Sequence, residues 1–430
     1  MAESRTVSPA SGLQGEIRVP GDKSISHRAI MFGSLAEGTT VVRGFLHGED
    51  NLATLRAFQL MGVSIDELPD GVLRIEGRGL YGLQEPDDVI DCGNSGTSIR
   101  LLCGLLAGQR FFSVLTGDRY LRKRPMRRVV GPLATMGAQI WGRGNGEMAP
   151  LAIKGSPLRP VEYDSPIASA QVKSALLLAG LYTDGTTKVR EPHLSRDHSE
   201  RMLTYFGADI RPFAGGVSIV GNPRLEGREV FVPGDISSAA FFLVAALTTP
   251  GADLLIRNVG INPTRSGVID ILQAMGGQIV LLDSRELSGE PVADLHVRHS
   301  DLHGIEIGGE LVPRAIDEFP VISVAAACAA GTTVIRDARE LRVKETDRIA
   351  AMTTELTRLG ADVEACEDGM IIHGGKVLQG GTVNSYGDHR IAMSMAVAAL
   401  TACDTVTIDD TACTATSFPE FWALLDKVRR

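Results

Sequence analysis

Six times along the chain an Ala- and Leu-rich run breaks at a short turn and passes into β-branched residues. The copies are SLAEGTTVVRG near 34–44, GLLAGQRFFSVLTG near 104–117, AGLYTDGTTKVREP near 179–192, AALTTPGADLLIRNVG near 245–260, AACAAGTTVIRDA near 326–338 and, without the glycine, AALTACDTVTIDD near 398–410. Interleaved with them, five amphipathic stretches close on a hydrophobe and a glycine before a short extended run: FQLMGVSI (58–65), LATMGAQI (133–140), LTYFGADI (203–210), LQAMGGQI (272–279) and LTRLGADV (356–363). Glycine after the last apolar turn stops a helix, and β-branched residues favour strands. One unit therefore reads helix–strand–helix–strand with an extra strand, about seventy residues long, and six such units imply a pseudo-symmetric α/β architecture.

The six units form either an open solenoid or two compact groups of three. At 430 residues the chain exceeds one ordinary core, which favours separate domains. Pro20-Gly21 and PGDISSAAFF (233–242) are alike, each placing Pro-Gly-Asp before an apolar helix. Taken as crossings, they give one domain over 21–239 and a discontinuous one over 1–20 and 240–430, with the N-terminal strand lent across. Functional sites often lie where domains meet.

Bulk properties exclude several classes of function. The net charge of −9 argues against a nucleic-acid binder, but leaves room for a small anion held by a local cationic cluster. Cys92, Cys103, Cys328, Cys366, Cys403 and Cys413 form no C-x-x-C pair and read as reduced thiols of a cytoplasmic protein. The N-terminus has no apolar secretory core, and runs such as AAFFLVAAL (239–247) are too short to span a bilayer. No membrane partner, metal or other cofactor is expected, since no His/Cys/Asp spacing suggests a metal and no GxxxxGK[ST] loop appears.

The polar residues collect where the apolar helices begin. VPGDKSISHRAI (19–30) carries Lys23, Ser24, His27 and Arg28; DCGNSGTSIR (91–100) carries Asn94, Ser95, Gly96, Thr97 and Arg100. GDRYLRKRPMRR (117–128) holds five arginines and a lysine, with Arg124 fixed by Pro125. SPIASAQVKS opens a helix with Ser169, Ala170, Gln171 and Lys173, and EPHLSRDHSERML offers Ser195 and Arg196. Asp317 and Glu318 precede another apolar helix, and Asp388, His389 and Arg390 open the last; His389 alone reads as structural. Lys344 and Arg348, four apart, are expected on one helix face, with Glu345 either a surface partner or a proton donor tuned by those cations. Each cluster alone reads as an ordinary cap or a solvated face. Together they predict helix N-termini, each worth about half a positive charge, aimed with the cations at a shared pocket for small phosphate or carboxylate anions.

Read in order, GDKSISHR, GNSGTSIRL, KRPM, SAQVKSALL, SRDHSERM, AIDEFP, LRVKETDRI and DHRIAM make the whole chain resemble the 5-enolpyruvylshikimate-3-phosphate synthase family. The resemblance implies a two-domain inside-out α/β barrel of six βαβαββ units, three per domain. It implies transfer of the enolpyruvyl group of phosphoenolpyruvate to the 5-hydroxyl of shikimate 3-phosphate by addition–elimination, without a cofactor, as a step of aromatic amino-acid synthesis. Lys23, Ser24, Arg28, Ser169, Ala170, Gln171, Ser195, Arg196, Asp317 and Lys344 correspond to shikimate 3-phosphate contacts. Lys23, Asn94, Gly96, Arg124, Gln171, Arg348, His389 and Arg390 correspond to phosphoenolpyruvate contacts. Asp317 would accept the 5-hydroxyl proton and Glu345 would protonate the methylene carbon, with Lys23 sharing the proton work. Residues 21–239 would form the shikimate 3-phosphate side and the discontinuous domain the phosphoenolpyruvate side, and domain closure would exclude water. A monomer is expected.

Departures refine the resemblance. CTATSFP places Thr416 where many relatives carry lysine; this and Arg196 resemble the class II branch. Gly96 is retained where some class II enzymes carry alanine, so glyphosate is expected to compete with phosphoenolpyruvate. The sibling UDP-N-acetylglucosamine enolpyruvyl transferase uses a cysteine near the RPM segment, and GDRYLRKRPM has none. A non-catalytic anion- or RNA-binding protein using 119–128 is the alternative from another class, opposed by the acidic net charge and the retained Asp317 and Glu345.

Overall fold

The structure, a computed structural model, describes residues 3–430. Each Ala/Leu-rich run forms a helix followed by a strand. The six pairs are Lys23–Leu35 with Glu37–Arg43, Gly96–Ala107 with Phe112–Thr116, Ala170–Gly180 with Thr186–Arg190, Ile236–Thr248 with Asp253–Gly260, Phe319–Cys328 with Thr332–Ile335, and His389–Leu400 with Val406–Asp409. These helices are apolar nearly all round, so they are buried on every side; in Ile236–Thr248 every residue from Ile236 to Leu247 is buried. The interleaved amphipathic helices, such as Arg348–Arg358 and Arg127–Thr135, keep a polar face.

The chain divides into two compact units, one of residues 21–232 with 286–290, the other of residues 1–20, 233–285 and 291–430. The first crossing falls after Pro20 and the second between Val232 and Pro233. Gly234 N–H bonds Asn258 O at 2.8 Å and Asp235 N–H bonds Pro20 O at 2.9 Å, so the Pro-Gly-Asp turn already belongs with the N-terminal strands. The tip of the hairpin Gln278–Leu287 to Glu290–Arg298, residues 286–290, belongs to the first unit: Ser288 Oγ accepts from Phe231 N–H at 2.9 Å, and Glu290 Oε1 meets His198 Nδ1 at 2.7 Å.

Each unit holds three buried helices surrounded by three sheets, the inside-out α/β barrel of six units. Five sheets share one order. The strand after the buried helix pairs in parallel with an edge strand and antiparallel with the unit's last strand, which pairs with the strand after the amphipathic helix. Phe112–Thr116 illustrates it, parallel to Ile90–Asp91 and antiparallel to Met148–Lys154, which pairs with Gln139–Gly142. The parallel partner of each unit's first strand comes from far along the chain: Glu229–Phe231 pairs with Glu37–Arg43, and Gln14–Arg18 with Asp253–Gly260. The sixth sheet has three strands, with Arg5–Val7 taking the antiparallel place beside Val406–Asp409. Strands such as Thr186–Arg190 bury alternate residues, giving each sheet one core face.

Where the Gly96–Ala107 and Ala170–Gly180 helices cross, a Cβ on Gly104 would stand 2.0 Å from Ala175 O. Only glycine permits that approach, which brings two polar N-termini side by side. Among the described residues no helix is long and apolar enough to cross a membrane.

Candidate functional site

In the unit of residues 21–232, side chains cap the helix starts. Asp22 Oδ1 accepts from Ile25 N–H at 2.8 Å, Ser95 Oγ from Ser98 N–H at 3.1 Å and Ser169 Oγ from Val172 N–H at 3.5 Å. Lys23, the first helical residue, pairs with Asp50. Arg28 is buried among neutral acceptors: Nε donates to Ser199 Oγ at 2.7 Å, Nη1 to Ser24 O at 2.9 Å and Nη2 to Ser174 Oγ at 2.9 Å. Burial, opposed by Glu200 and Asp22, brings its pKa down to about 10, so it stays cationic at neutral pH. His27 is held well below the usual imidazole range by burial and by Lys23 and Arg28, and its Nδ1 lies 2.8 Å from Thr54 Oγ1. Thr54 continues to Ser98 Oγ at 2.6 Å, and Ser98 Oγ donates to Ser95 Oγ at 2.7 Å, so a buried hydroxyl chain braces the Gly96 loop.

Gln171 is oriented from both ends, its Oε1 accepting from Arg100 Nη1 and its Nε2 donating to Thr97 Oγ1 at 3.1 Å. Arg100 Nη2 also bonds Pro125 O at 3.1 Å, fixing the turn that presents Arg124. Arg124 separates from the rest of the basic run. Arg119, Arg122, Lys123 and Arg127 are exposed, whereas the half-buried Arg124 guanidinium lies over Gly96. Asn94 Nδ2 donates to Asp118 Oδ2 at 3.0 Å, and Asp118 Oδ1 accepts from Leu121 N–H at 2.7 Å, tying the Asn94 loop to the basic loop. Ala170 begins its helix, and Ser195 and the half-buried Arg196 lie just before the His198–Tyr205 helix.

In the other unit, Arg348 is the hub. It is 1 % exposed and faces three carboxylates. Its Nε donates to Asp388 Oδ2 at 2.8 Å, Nη2 to Glu345 Oε2 at 2.6 Å and Nη1 to Asp317 Oδ1 at 3.4 Å. Burial works against the charge, but Asp388, Glu345 and Asp317 outweigh it and raise the guanidinium pKa. Arg390 Nη1 donates to Asp317 O at 2.9 Å and lies 3.6 Å from Glu318 Oε1. His389, buried, is the first residue of its helix, capped by Asp388 through Arg390 N–H at 2.9 Å.

The expected shared helix face of Lys344 and Arg348 is corrected by the structure. Asp347 caps the helix through Ala350 N–H at 3.0 Å, so the helix starts at Arg348 and Lys344 lies in the loop before it. The two cations meet nonetheless, because Lys344 Nζ reaches Asp317 Oδ1 at 3.2 Å. Sequence reading missed Asp50, Asp118 and Glu191 as partners of the polar groups. Asp118 stands in a recognisable turn position, but Asp50 reaches Lys23, and Glu191 reaches Ser169 and Lys173, across sequence separations that leave no local signal. Among the described residues no group of three or more His, Cys, Asp or Glu is placed to hold a metal ion.

The family model described as EPSP synthase (3-phosphoshikimate 1-carboxyvinyltransferase) matches residues 7–425. A protein of Syntrophotalea carbinolica named 3-phosphoshikimate 1-carboxyvinyltransferase is 68% identical over 429 residues, covering 100% of both chains. One of the same name from Geobacter sulfurreducens is 69% identical over 421 residues, 98% of each chain. A solved structure of EPSP synthase from Acinetobacter baumannii superposes with a TM-score of 0.90 at 50% identity, covering 99% of this chain and 98% of that one.

Proposed function

The chain belongs to the EPSP synthase family, and we propose that it performs that family's reaction. It transfers the enolpyruvyl group of phosphoenolpyruvate to the 5-hydroxyl of shikimate 3-phosphate and releases phosphate. The observation that carries the reading is the pair of carboxylates, Asp317 and Glu345, held on one buried guanidinium, with Lys344 also on Asp317. Two carboxyl groups beside cations are what an addition–elimination at an enol phosphate requires.

In the addition, Asp317 takes the 5-hydroxyl proton as the oxygen bonds to C2 of phosphoenolpyruvate, while Glu345 gives a proton to the methylene carbon. The product is a tetrahedral ketal phosphate carrying a methyl group. In the elimination, the bond from C2 to the phosphate oxygen breaks, the leaving phosphate takes up the proton that Asp317 accepted, a methyl proton returns to Glu345 and the double bond re-forms. Arg348 links binding to this chemistry, since the guanidinium that serves phosphoenolpyruvate also holds Glu345 and Asp317.

Lys23, Ser24, Arg28, Ser169, Ala170, Gln171 and Arg196, with Asp317 and Lys344, serve shikimate 3-phosphate, and Ser195 stands behind them on Glu191. Lys23, Asn94, Gly96, Arg124 and Gln171, with Arg348, His389 and Arg390, serve phosphoenolpyruvate. Arginine suits the second set because its planar fork pairs with carboxylate and phosphate through two bonds. Product analysis by proton and phosphorus NMR tests the reading. Shikimate 3-phosphate with phosphoenolpyruvate is expected to give free phosphate and a new enolpyruvyl ether; product with UDP-N-acetylglucosamine instead would assign the sibling reaction.

Gly96 yields a separate prediction. A Cβ there would lie 2.8 Å from both Cζ and Nη1 of Arg124. Gly96→Ala therefore displaces the guanidinium and raises KM for phosphoenolpyruvate by about tenfold. Glyphosate is expected to compete with phosphoenolpyruvate in the wild type and to lose potency in this variant. Full wild-type activity at millimolar glyphosate, or an unchanged KM in Gly96→Ala, would contradict the placement.

A further inference from the structure

Ser169 and Ser195 carry the same functional group, but their hydrogen bonds make them unequal. Ser195 is 4 % exposed, and its hydroxyl points at Glu191, 2.7 Å from Oε1 and 2.8 Å from Oε2. A serine has one hydroxyl proton, and this one is spent on the carboxylate. Ser169 is half-buried and uses different atoms: its backbone N–H donates to Glu191 Oε1 at 3.0 Å, and its Oγ accepts from Val172 N–H at 3.5 Å. Its hydroxyl proton is directed to no described protein group.

Glu191 is itself clamped. Lys173 is 2 % exposed, and its Nζ lies 2.9 Å from both Glu191 Oε2 and Glu200 Oε1 and 3.2 Å from Ser195 O. Burial works against the ammonium, yet Glu200 and Glu191 outweigh it and raise its pKa, so the lysine stays charged. Lys173 stands four residues after Ser169 on the helix that Ser169 caps. Glu191 thereby joins the cap, the first helical turn and the Ser195 loop.

We propose that Glu191, clamped by Lys173, is a positioning residue for the phosphate of shikimate 3-phosphate: it fixes the Ser169 backbone so that the Ser169 hydroxyl donates to the phosphate, and it takes the Ser195 proton, so that Ser195 acts only through Glu191. The inference rests on the reading that shikimate 3-phosphate is the acceptor. It adds a residue to that site and ranks two serines that sequence alone treats alike.

Calorimetric titration with shikimate 3-phosphate and with shikimate isolates the phosphate contacts, because the two ligands differ only there. The ratio of their dissociation constants is the readout, with KM for phosphoenolpyruvate as the reference. Ser169→Ala is expected to shrink the ratio by about ten- to a hundred-fold, the loss of a bond to a charged group. Glu191→Ala shrinks it by about tenfold or more, and Glu191→Gln, which keeps an acceptor for Ser169 N–H, recovers part of that loss. Ser195→Ala changes it by less than about threefold, and KM for phosphoenolpyruvate holds in all four variants. If Glu191→Ala does not fold, Glu191→Gln and Ser195→Ala still decide. Equal losses in Ser195→Ala and Ser169→Ala, or an intact ratio in the Glu191 variants, would overturn the inference. A wild type that binds shikimate as tightly as shikimate 3-phosphate would instead overturn the acceptor assignment, and is seen before any variant is made.

Discussion

Glu345→Gln and Asp317→Asn each lower kcat by about 10²–10⁴-fold, the range general acid–base groups contribute. Glu345→Gln keeps an oxygen that accepts from Arg348 Nη2, where Glu345 Oε2 now lies 2.6 Å away, so the hub persists while the proton donor is lost. Asp317→Asn keeps an acceptor for Lys344 and Arg348 but cannot take the hydroxyl proton; KM for shikimate 3-phosphate rises with it. Turnover in D2O separates the roles. The methyl group of the tetrahedral intermediate carries one solvent-derived hydrogen, so the wild type places deuterium in the enolpyruvyl methylene. Glu345→Gln slows that exchange in step with turnover. Near wild-type rates in either variant would remove that residue from the scheme.

Arg348→Met destabilises the protein by about 3–5 kcal/mol, as expected when one member of a buried ionic cluster is removed and its partners keep their charge. The size follows from the burial: Arg348 is 1 % exposed and Asp388 fully buried, and Nε and Nη2 of Arg348 both reach Asp388, at 2.8 and 3.3 Å. Arg348→Lys recovers only part of the loss, because an ammonium cannot present a planar fork to Asp388 while reaching Glu345 and Asp317. Urea denaturation measures the change; a loss below about 1 kcal/mol would show that the carboxylates do not depend on this cation.

The repeating helices and strands were legible because their signals are local. Apolar runs closed by Gly38, Gly185 or Gly331 and followed by Thr-Thr announce a buried helix and then a strand, and each forms. The separation of Lys344 from Arg348 was also local in origin: Asp347 is a good N-cap residue and starts the helix one residue before Arg348. The pairings that position the polar groups were not legible, because they cross the sequence. Glu191 reaches back 22 residues to Ser169, and Asp388 lies 40 residues from Arg348. Asp388 also shows how one side chain hides a second role, since a capping carboxylate at a helix start needs no other explanation. Likewise, Pro125 marks Arg124 within the basic run 119–128 but not its place over Gly96, which follows from Arg100 holding Pro125 O at 3.1 Å.

The central claim is that Arg124 and Arg390 both bind phosphoenolpyruvate. Steady-state phosphate release with Arg124→Met and with Arg390→Met tests it most directly. Each replacement alone is expected to raise KM for phosphoenolpyruvate by about ten- to a hundred-fold. An unchanged KM in either variant would contradict the account.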